Sequence, residues 1–209
     1  HPLQFSLNMF DYIYHEHFSY FTLKTLKILL KKFDLTIVDA EVFSQKGGSL
    51  RVTIKHKNIN NKVSQNLKKL IKKEEIKDYN STKIFKDLQN RILKEKDKLI
   101  SQLELIKNKN IPIIGFGASH STTTLMYFFK IHKYIDFIID DNPKKTGTFS
   151  PGYHIPVFDT TEALKKNICH IVILAWQHQE SIMKTHKKLI LNNGLFIVPL
   201  PHFKKIEKL

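Results

Sequence analysis

The sequence predicts an α/β chain: a doubly wound, mostly parallel sheet over residues 109–209, preceded by a helix, a two-stranded hairpin and connector helices. Three observations predict it. After residue 109, short apolar runs alternate with helix-like stretches, the pattern of parallel strands covered on both faces. The glycine turn Gly115-Phe116-Gly117-Ala118-Ser119 ends the first of those runs and opens a helix. Before it, residues 58–108 are lysine-rich, carry apolar residues at helical spacing, and contain neither Gly nor Pro.

The elements follow in chain order. Residues 18–33 read as an amphipathic helix, with Leu23, Leu26, Leu29, Leu30 and Phe33 on one face and Lys24, Lys27, Lys31 and Lys32 on the other. Leu35 to Phe43 and Ser49 to His56 read as strands, joined at Gly47 and Gly48, which suit a turn needing positive φ. Leu67, Leu70 and Ile71, then Ile84, Leu88, Ile92, Leu99 and Leu103, support two or three helices, with a break at Asn80-Ser81 and a long charged helix to Lys107. Such a hairpin alone is marginal in water, so it is expected to pack on the connector helices or on a second copy of the chain. In the last segment, strands are expected at Ile111–Phe116, Ile135–Ile139, Ile155–Phe158, His170–Ala175 and Leu195–Leu200. Helices are expected at Thr122–Phe129, Thr161–Lys166 and Gln179–Leu191, the last stopping at Asn192-Asn193-Gly194.

Bulk properties narrow the class. A chain of 209 residues with 42% hydrophobic content can bury a real core. The lone cysteine, Cys169, excludes an internal disulfide and fits a reducing, cytoplasmic setting. No stretch has the length of a membrane span, and no signal peptide is visible. The chain starts at His1, which reads as a piece of a longer polypeptide or a processed product. Thirty-four Lys and Arg against 19 Asp and Glu give a net +15. That balance is open to an anionic partner, but only Arg51 and Arg91 are arginines. Without arginine forks or a nucleic-acid motif, the charge reads as a solvated lysine surface rather than a nucleic-acid interface.

Three segments could carry chemistry. Glycines in the 115–119 turn let a phosphate approach amides at a helix N-terminus, with hydroxyls from Ser119, Ser121 and Thr122 nearby. Residue 120 is His, so the full dinucleotide fingerprint is absent; a plain tight turn is equally open. Asp140 and Asp141 fall roughly 20 residues on, where a ribose-binding carboxylate sits in dinucleotide folds. The second segment is Tyr14-His15-Glu16-His17. On a helix His15 and His17 diverge by about 200°, and no third ligand is evident, which argues against a metal. Tyr14 and His17 would share a helical face, placing a phenol beside an imidazole suited to proton abstraction; a capping or packing role for the histidine is equally open. The third is the tip Trp176-Gln177-His178, at the strand end where such sheets bind ligands; for any one of these residues a surface loop with satisfied side chains is the stronger expectation.

In order along the chain, several blocks resemble S-adenosylmethionine-dependent sugar C-methyltransferases acting on nucleotide-linked keto-sugars. Phe10-Asp11-Tyr12-Ile13-Tyr14-His15-Glu16-His17-Phe18-Ser19-Tyr20-Phe21 is similar to the family signature, and Gly47-Gly48-Ser49-Leu50-Arg51-Val52 to the next block. Gly115-Phe116-Gly117-Ala118, Asp140-Asp141-Asn142-Pro143-Lys144-Lys145, Pro151-Gly152-Tyr153-His154-Ile155-Pro156 and Ile173-Leu174-Ala175-Trp176 resemble the family's C-terminal domain. The resemblance implies three parts. Residues 1–57 would be the end of a methyltransferase domain and 58–108 a helical connector. Residues 109–209 would be a Rossmann-like substrate-binding domain. It also implies that the zinc-binding domain and the S-adenosylmethionine loop lie outside this chain, which alone is then expected to bind neither methyl donor nor metal.

By the same resemblance His17 is the general base, and Tyr14 and Glu16 orient it or polarise the sugar. Gly115, Gly117, Ala118 and Ser119 would cradle the diphosphate, with Asp140 and Trp176 also facing substrate. His120 and Ser121 depart from the small-and-basic pattern of antibiotic-sugar members, leaving the sugar, and carbon or oxygen as methyl acceptor, open. Implied partners are a nucleotide-linked sugar, the N-terminal methyltransferase domain and a second copy in a homodimer, with no nucleic acid or membrane. The alternative is a non-catalytic nucleotide-sugar-binding or interaction module; a weaker third is a nucleic-acid module built on the charge.

Overall fold

The computed structural model describes residues 2–43, 48–58, 60–165, 170–190 and 194–207. Gly47, Cys169, Asn192 and Asn193, on which sequence expectations fall, lie outside the described residues. Two compact units emerge: His1–Leu7 with His17–Asn90, and Asn8–Glu16 with Arg91–Leu209.

The first unit contains α1 (Leu3–Ser6), α2 (Leu23–Lys31), the strands β1 (Leu35–Phe43) and β2 (Ser49–His56), α3 (Gln65–Lys77), and the start of α4 (Thr82–Lys107). The expected helix over 18–33 starts five residues late, at Leu23. Two devices fix that start. Thr22 and Thr25 form a reciprocal capping box, and the buried Glu74 carboxylate of α3 accepts from Leu23 N (2.9 Å) and Lys24 N (3.3 Å). An anionic group on a helix's first amides satisfies orphan donors and the positive end of its dipole. Upstream, Phe18 and Phe21 are exposed and offer no apolar stripe to a core.

β1 and β2 pair antiparallel from Leu35↔His56 to Phe43↔Ser49, with a bulge between Ile37 and Asp39. The inner face supplies Ile37 and Ala40, which pack with Leu23 and Leu30 of α2 and Leu67 of α3. Each fully buried aliphatic chain stabilises by about 1.5–3 kcal/mol. α3 is pinned to β1 by Ser64 N to Val38 O (2.9 Å) and by Asn66 Nδ2 to Ala40 O (2.6 Å). The hairpin thus rests on a connector helix, as expected from its marginal stability alone. Asp78, left-handed at φ 47°, ends α3.

The second unit is a six-stranded sheet in the order β5-β4-β3-β6-β7-β8. Its strands are β3 (Ile113–Phe116), β4 (Ile138–Ile139), β5 (Val157–Phe158), β6 (His170–Ile173), β7 (Leu195–Val198) and β8 (Lys204–Ile206). The first five are mutually parallel and β8 is antiparallel. This is the α/β, Rossmann-like architecture expected. Its helices are α5 (His120–Phe129), α6 (Thr160–Lys165) and α7 (Gln179–Thr185). The chain leaves β3 toward β4 and later returns to β6 on the other side. Right-handed crossovers then put α5 and α7 on opposite faces and make the β3/β6 boundary the switch point. β3, β6 and β7 are buried throughout, which is why they read as unbroken apolar runs. Leu99, Leu103 and Ile106 of α4 are also buried.

In this unit three elements differ most from the sequence reading. The helix expected to Leu191 ends at Thr185, and a 3-10 turn, Lys187–Ile190, follows. His186 leaves the helix to bind Asp141 Oδ2 through Nε2 at 2.9 Å and to lie on the Phe116 ring. The strand expected from Ile135 is only Ile138–Ile139, since a 3-10 turn runs to Tyr134. β8 was not expected: its three residues carry two exposed lysines, a charge pattern that protects a sheet edge but hides the strand from periodicity.

Candidate functional site

The glycine turn leaves β3 at the switch point. Gly117 has φ +103°, and a Cβ there would lie 2.5 Å from Ala175 Cβ. Glycine is thus required for close approach of the strand ends. The turn's amides are largely spent inside the fold: Gly115 N binds Phe137 O and Gly117 N binds Ile139 O, while Ala118 N binds Asp140 Oδ2 at 2.7 Å. Ser119 is the N-cap of α5, and its hydroxyl accepts from Thr122 N.

Asp140 is similarly engaged. Besides Ala118, it accepts from Lys145 Nζ at 3.0 Å and, through Oδ1, from Asn142 N at 2.9 Å. It locks the turn after β4 to the turn after β3. Trp176, at the tip of β6, is 3% exposed. Its indole donates to Asp11 Oδ2 at 2.9 Å, and Gln177 Nε2 donates to the same oxygen at 3.0 Å.

In the sequence Asp11 stands only as part of a motif. The structure makes it a buried anchor of the Asn8–Glu16 segment. It is 0% exposed, and its Oδ1 has no hydrogen-bond partner among the described residues. Burial pushes its pKa up to about 6, against the opposing bonds from Trp176, Gln177 and its own backbone amide. Around it the segment is tied down. Asn8 Nδ2 donates to Pro201 O at 2.8 Å, Arg91 Nε donates to Asn8 Oδ1 at 3.1 Å, and Phe10 packs on Phe128 and Phe129.

This anchoring delivers Tyr14, His15 and Glu16 to the first residue of α5. The His120 ring lies 5.5 Å from the Tyr14 ring and 5.3 Å from the His15 ring, and its Nδ1 is 3.7 Å from Glu16 Oε1. Partial burial, with the charges of Glu16 and Asp11, pushes the Tyr14 phenol up, so at neutral pH it is a hydrogen-bond donor. The shared helical face expected for Tyr14 and His17 does not form, because residues 13–22 contain no helix. His17 is half-buried and belongs to the first unit, whereas Tyr14 and Glu16 belong to the second. His120, read from sequence only as a departure from the family pattern, is the residue the cluster gathers around. Among the described residues no group of three His, Cys, Asp or Glu could hold a metal ion.

His120 also lines a cavity of about 350 Å³. Its lining includes the apolar Met126, Ile138 and Val157, the α5 N-cap Ser119 with Thr123 of α5, and Lys145 with the Thr148–Pro151 segment.

Comparison with known proteins bears on what this arrangement serves. Residues 44–201 match the model of the C-methyltransferase C-terminal domain. The chain belongs to that family. It is also 26% identical over 201 residues to the C-methyltransferase NovU of Streptomyces niveus, covering 96% of this chain and 48% of that protein. The chain therefore spans about half the length of this curated relative. In this C-methyltransferase C-terminal domain, the glycine turn and Asp140 hold the sheet's strand ends together, and the open space lies beside α5. Among the described residues no helix is long and apolar enough to cross a membrane.

Proposed function

We propose that this chain is the sugar-holding part of a C-methyltransferase. Its substrate would be a nucleotide-linked keto-sugar, methylated at the carbon beside the ketone. One observation carries the reading: Tyr14 and Glu16 are brought to His120 on the rim of a cavity large enough for a substrate's polar end. A relative named as a C-methyltransferase supports the reaction class.

The chemistry asked of these residues is proton transfer. A carbon acid next to a ketone loses its proton only if the enolate oxygen is stabilised as charge develops. Tyr14, protonated at neutral pH, would donate a hydrogen bond to that oxygen. Glu16, half-exposed beside His120, would orient a sugar hydroxyl or the imidazole. His17, next in the chain, would accept the proton; its assignment rests on its place in the Tyr-His-Glu-His run.

S-adenosylmethionine, the methyl donor implied by the family, would supply the methyl group when bound. The glycine turn does not fit it, since the amides of Gly115, Gly117 and Ala118 are already bonded within the fold. The donor-binding methyltransferase domain would therefore be this chain's working partner.

The test is His17→Ala in the complete enzyme. Methyl transfer is expected to fall by about two orders of magnitude or more, the usual worth of a positioned base, with nucleotide affinity retained. Undiminished transfer removes His17 from the base role.

A further inference from the structure

We propose that His120 is a further catalytic residue, which joins Tyr14 in donating a hydrogen bond to the enolate oxygen. This inference rests on the C-methylation reading above and deepens it. Position 120 is one where the chain departs from the family pattern, so geometry and not resemblance assigns the role.

Convergence is the first support. The Tyr14 and His15 rings lie 5.5 and 5.3 Å from the His120 ring, and Glu16 Oε1 lies 3.7 Å from its Nδ1. The fold does not need an imidazole there. The side chains of His120 and Glu16 are each 55% exposed, and an ion pair so open to water adds little to stability. Nor does residue 120 cap its helix, since Ser119 does that. Yet the segment that brings Tyr14 and Glu16 to this place is held by a fully buried carboxylate, Asp11, whose Oδ1 has no partner among the described residues. Burying such a group costs stability. Ionisable groups gathered at that cost and left open to water mark a place that works on a ligand.

The second support is the nitrogen left over. Among the described residues Nε2 of His120 has no hydrogen-bond partner. With Nδ1 facing Glu16, Nε2 is the atom that can meet substrate. It carries a proton in the imidazolium and in one of the two neutral tautomers. His120 also lines the cavity of about 350 Å³. As the first residue of α5 it stands at the positive end of that helix, where negative charge is favoured. The Tyr14 phenol, pushed up by partial burial and the charges of Glu16 and Asp11, supplies the other donor.

A second donor acts on the slow part of the chemistry. When the carbon beside the ketone is deprotonated, its proton goes to the base and the C–H electron pair forms the new C=C bond. The carbonyl pair moves onto oxygen. Charge on that oxygen grows toward the transition state, so donors aimed at it lower the barrier more than they tighten substrate binding. Rings with centres 5.5 Å apart can place both donors on one oxygen.

The experiment reads enolisation alone: exchange of hydrogen for deuterium beside the ketone, in D2O, by the complete enzyme without methyl donor. The probes are 4-keto-6-deoxyhexoses linked to dTDP, UDP, GDP and CDP, followed by NMR against an enzyme-free control. The wild-type enzyme is expected to exchange at least one of them. His120→Ala is expected to lower kcat for that exchange about tenfold or more with KM little changed; a donor in an enclosed oxyanion site is worth about a hundredfold or more, and exposure to water weakens it here. His120→Phe keeps a ring against Tyr14 and His15 but removes the donor, and is expected to be as slow. Native Trp176 fluorescence confirms that each variant is folded. Either variant exchanging at the wild-type rate, or an effect of His120→Ala confined to KM, overturns this role and leaves the C-methylation reading standing. A wild-type enzyme that exchanges none of the four probes overturns both.

Discussion

Replacing Asp11 by Asn removes the one ionisable group that, among the described residues, the second unit buries completely, and it should change the pH dependence of that unit's stability. Asp11 has an ordinary pKa of 3.8, and burial raises it to about 6 in the fold. At about 1.4 kcal/mol per unit, holding it ionised costs the folded state about 3 kcal/mol. The sign follows from which state binds the proton more tightly. Below about pH 3.8 both states are protonated and the cost is absent. As pH rises the unfolded chain ionises first, so stability falls until the folded group ionises near pH 6, and is flat above it. Between about pH 4.5 and about pH 7 the wild-type chain should lose about 2 kcal/mol relative to Asp11→Asn. The amide brings its own cost. It keeps one oxygen for Trp176 and Gln177 but puts an NH2 where Oδ1 has no partner, worth about 1–3 kcal/mol. That cost is independent of pH and does not affect the slope. Urea unfolding followed by the chain's single tryptophan, whose indole touches Asp11, reads out this unit. A stability difference between the two proteins that stays constant from about pH 4.5 to about pH 7 would falsify the argument.

Substitutions at two further places probe the scaffold. Gly152→Ala would put a Cβ 1.3 Å from Tyr127 Oη at φ +78°; it should cost about 1–3 kcal/mol, and adding Tyr127→Ala should restore the steric part in thermal unfolding while leaving the backbone strain. Glu74→Gln keeps one acceptor for the first amides of α2 but loses the charge, and should cost about 1 kcal/mol; Glu74→Ala loses both bonds and should cost about 2 kcal/mol. Far-ultraviolet dichroism during denaturant unfolding measures both, and an alanine variant as stable as wild type would refute the capping role of Glu74.

The legible parts of this fold are those in which a residue's own chemistry decides its neighbours. β3, β6 and β7 announce themselves because strands covered on both faces must be apolar throughout. The long helix through Ile92, Leu99 and Leu103 shows in its spacing. Gly117 reads as a special turn because its φ of +103° excludes ordinary side chains. The hairpin's need for a support follows from the instability of two strands alone. Where a partner distant in sequence decides, local pattern fails. The start of α2 is set by Glu74, 51 residues away from Leu23, and the end of α7 by Asp141, 45 residues from His186. β8 is two lysines and an isoleucine that become a strand only because Phe196 to Val198 lies beside them.

The site divides in the same way. From sequence alone the Tyr14-Glu16-His17 run, the glycine turn and Asp140 stand out as concentrations of chemically capable groups, and ordered motif blocks name the family. Which of them face a ligand is a tertiary matter. Hydrogen bonding commits the turn amides and Asp140 to the sheet. A buried carboxylate, Asp11, anchors the segment that carries Tyr14 and Glu16, and His120 and Phe149 come to line the open space. Sequence determines which groups a chain possesses and what periodicity they can take. Only folding decides which donors and acceptors are consumed internally, because that depends on partners 22 residues apart, as for Ala118 and Asp140, or 165, as for Asp11 and Trp176.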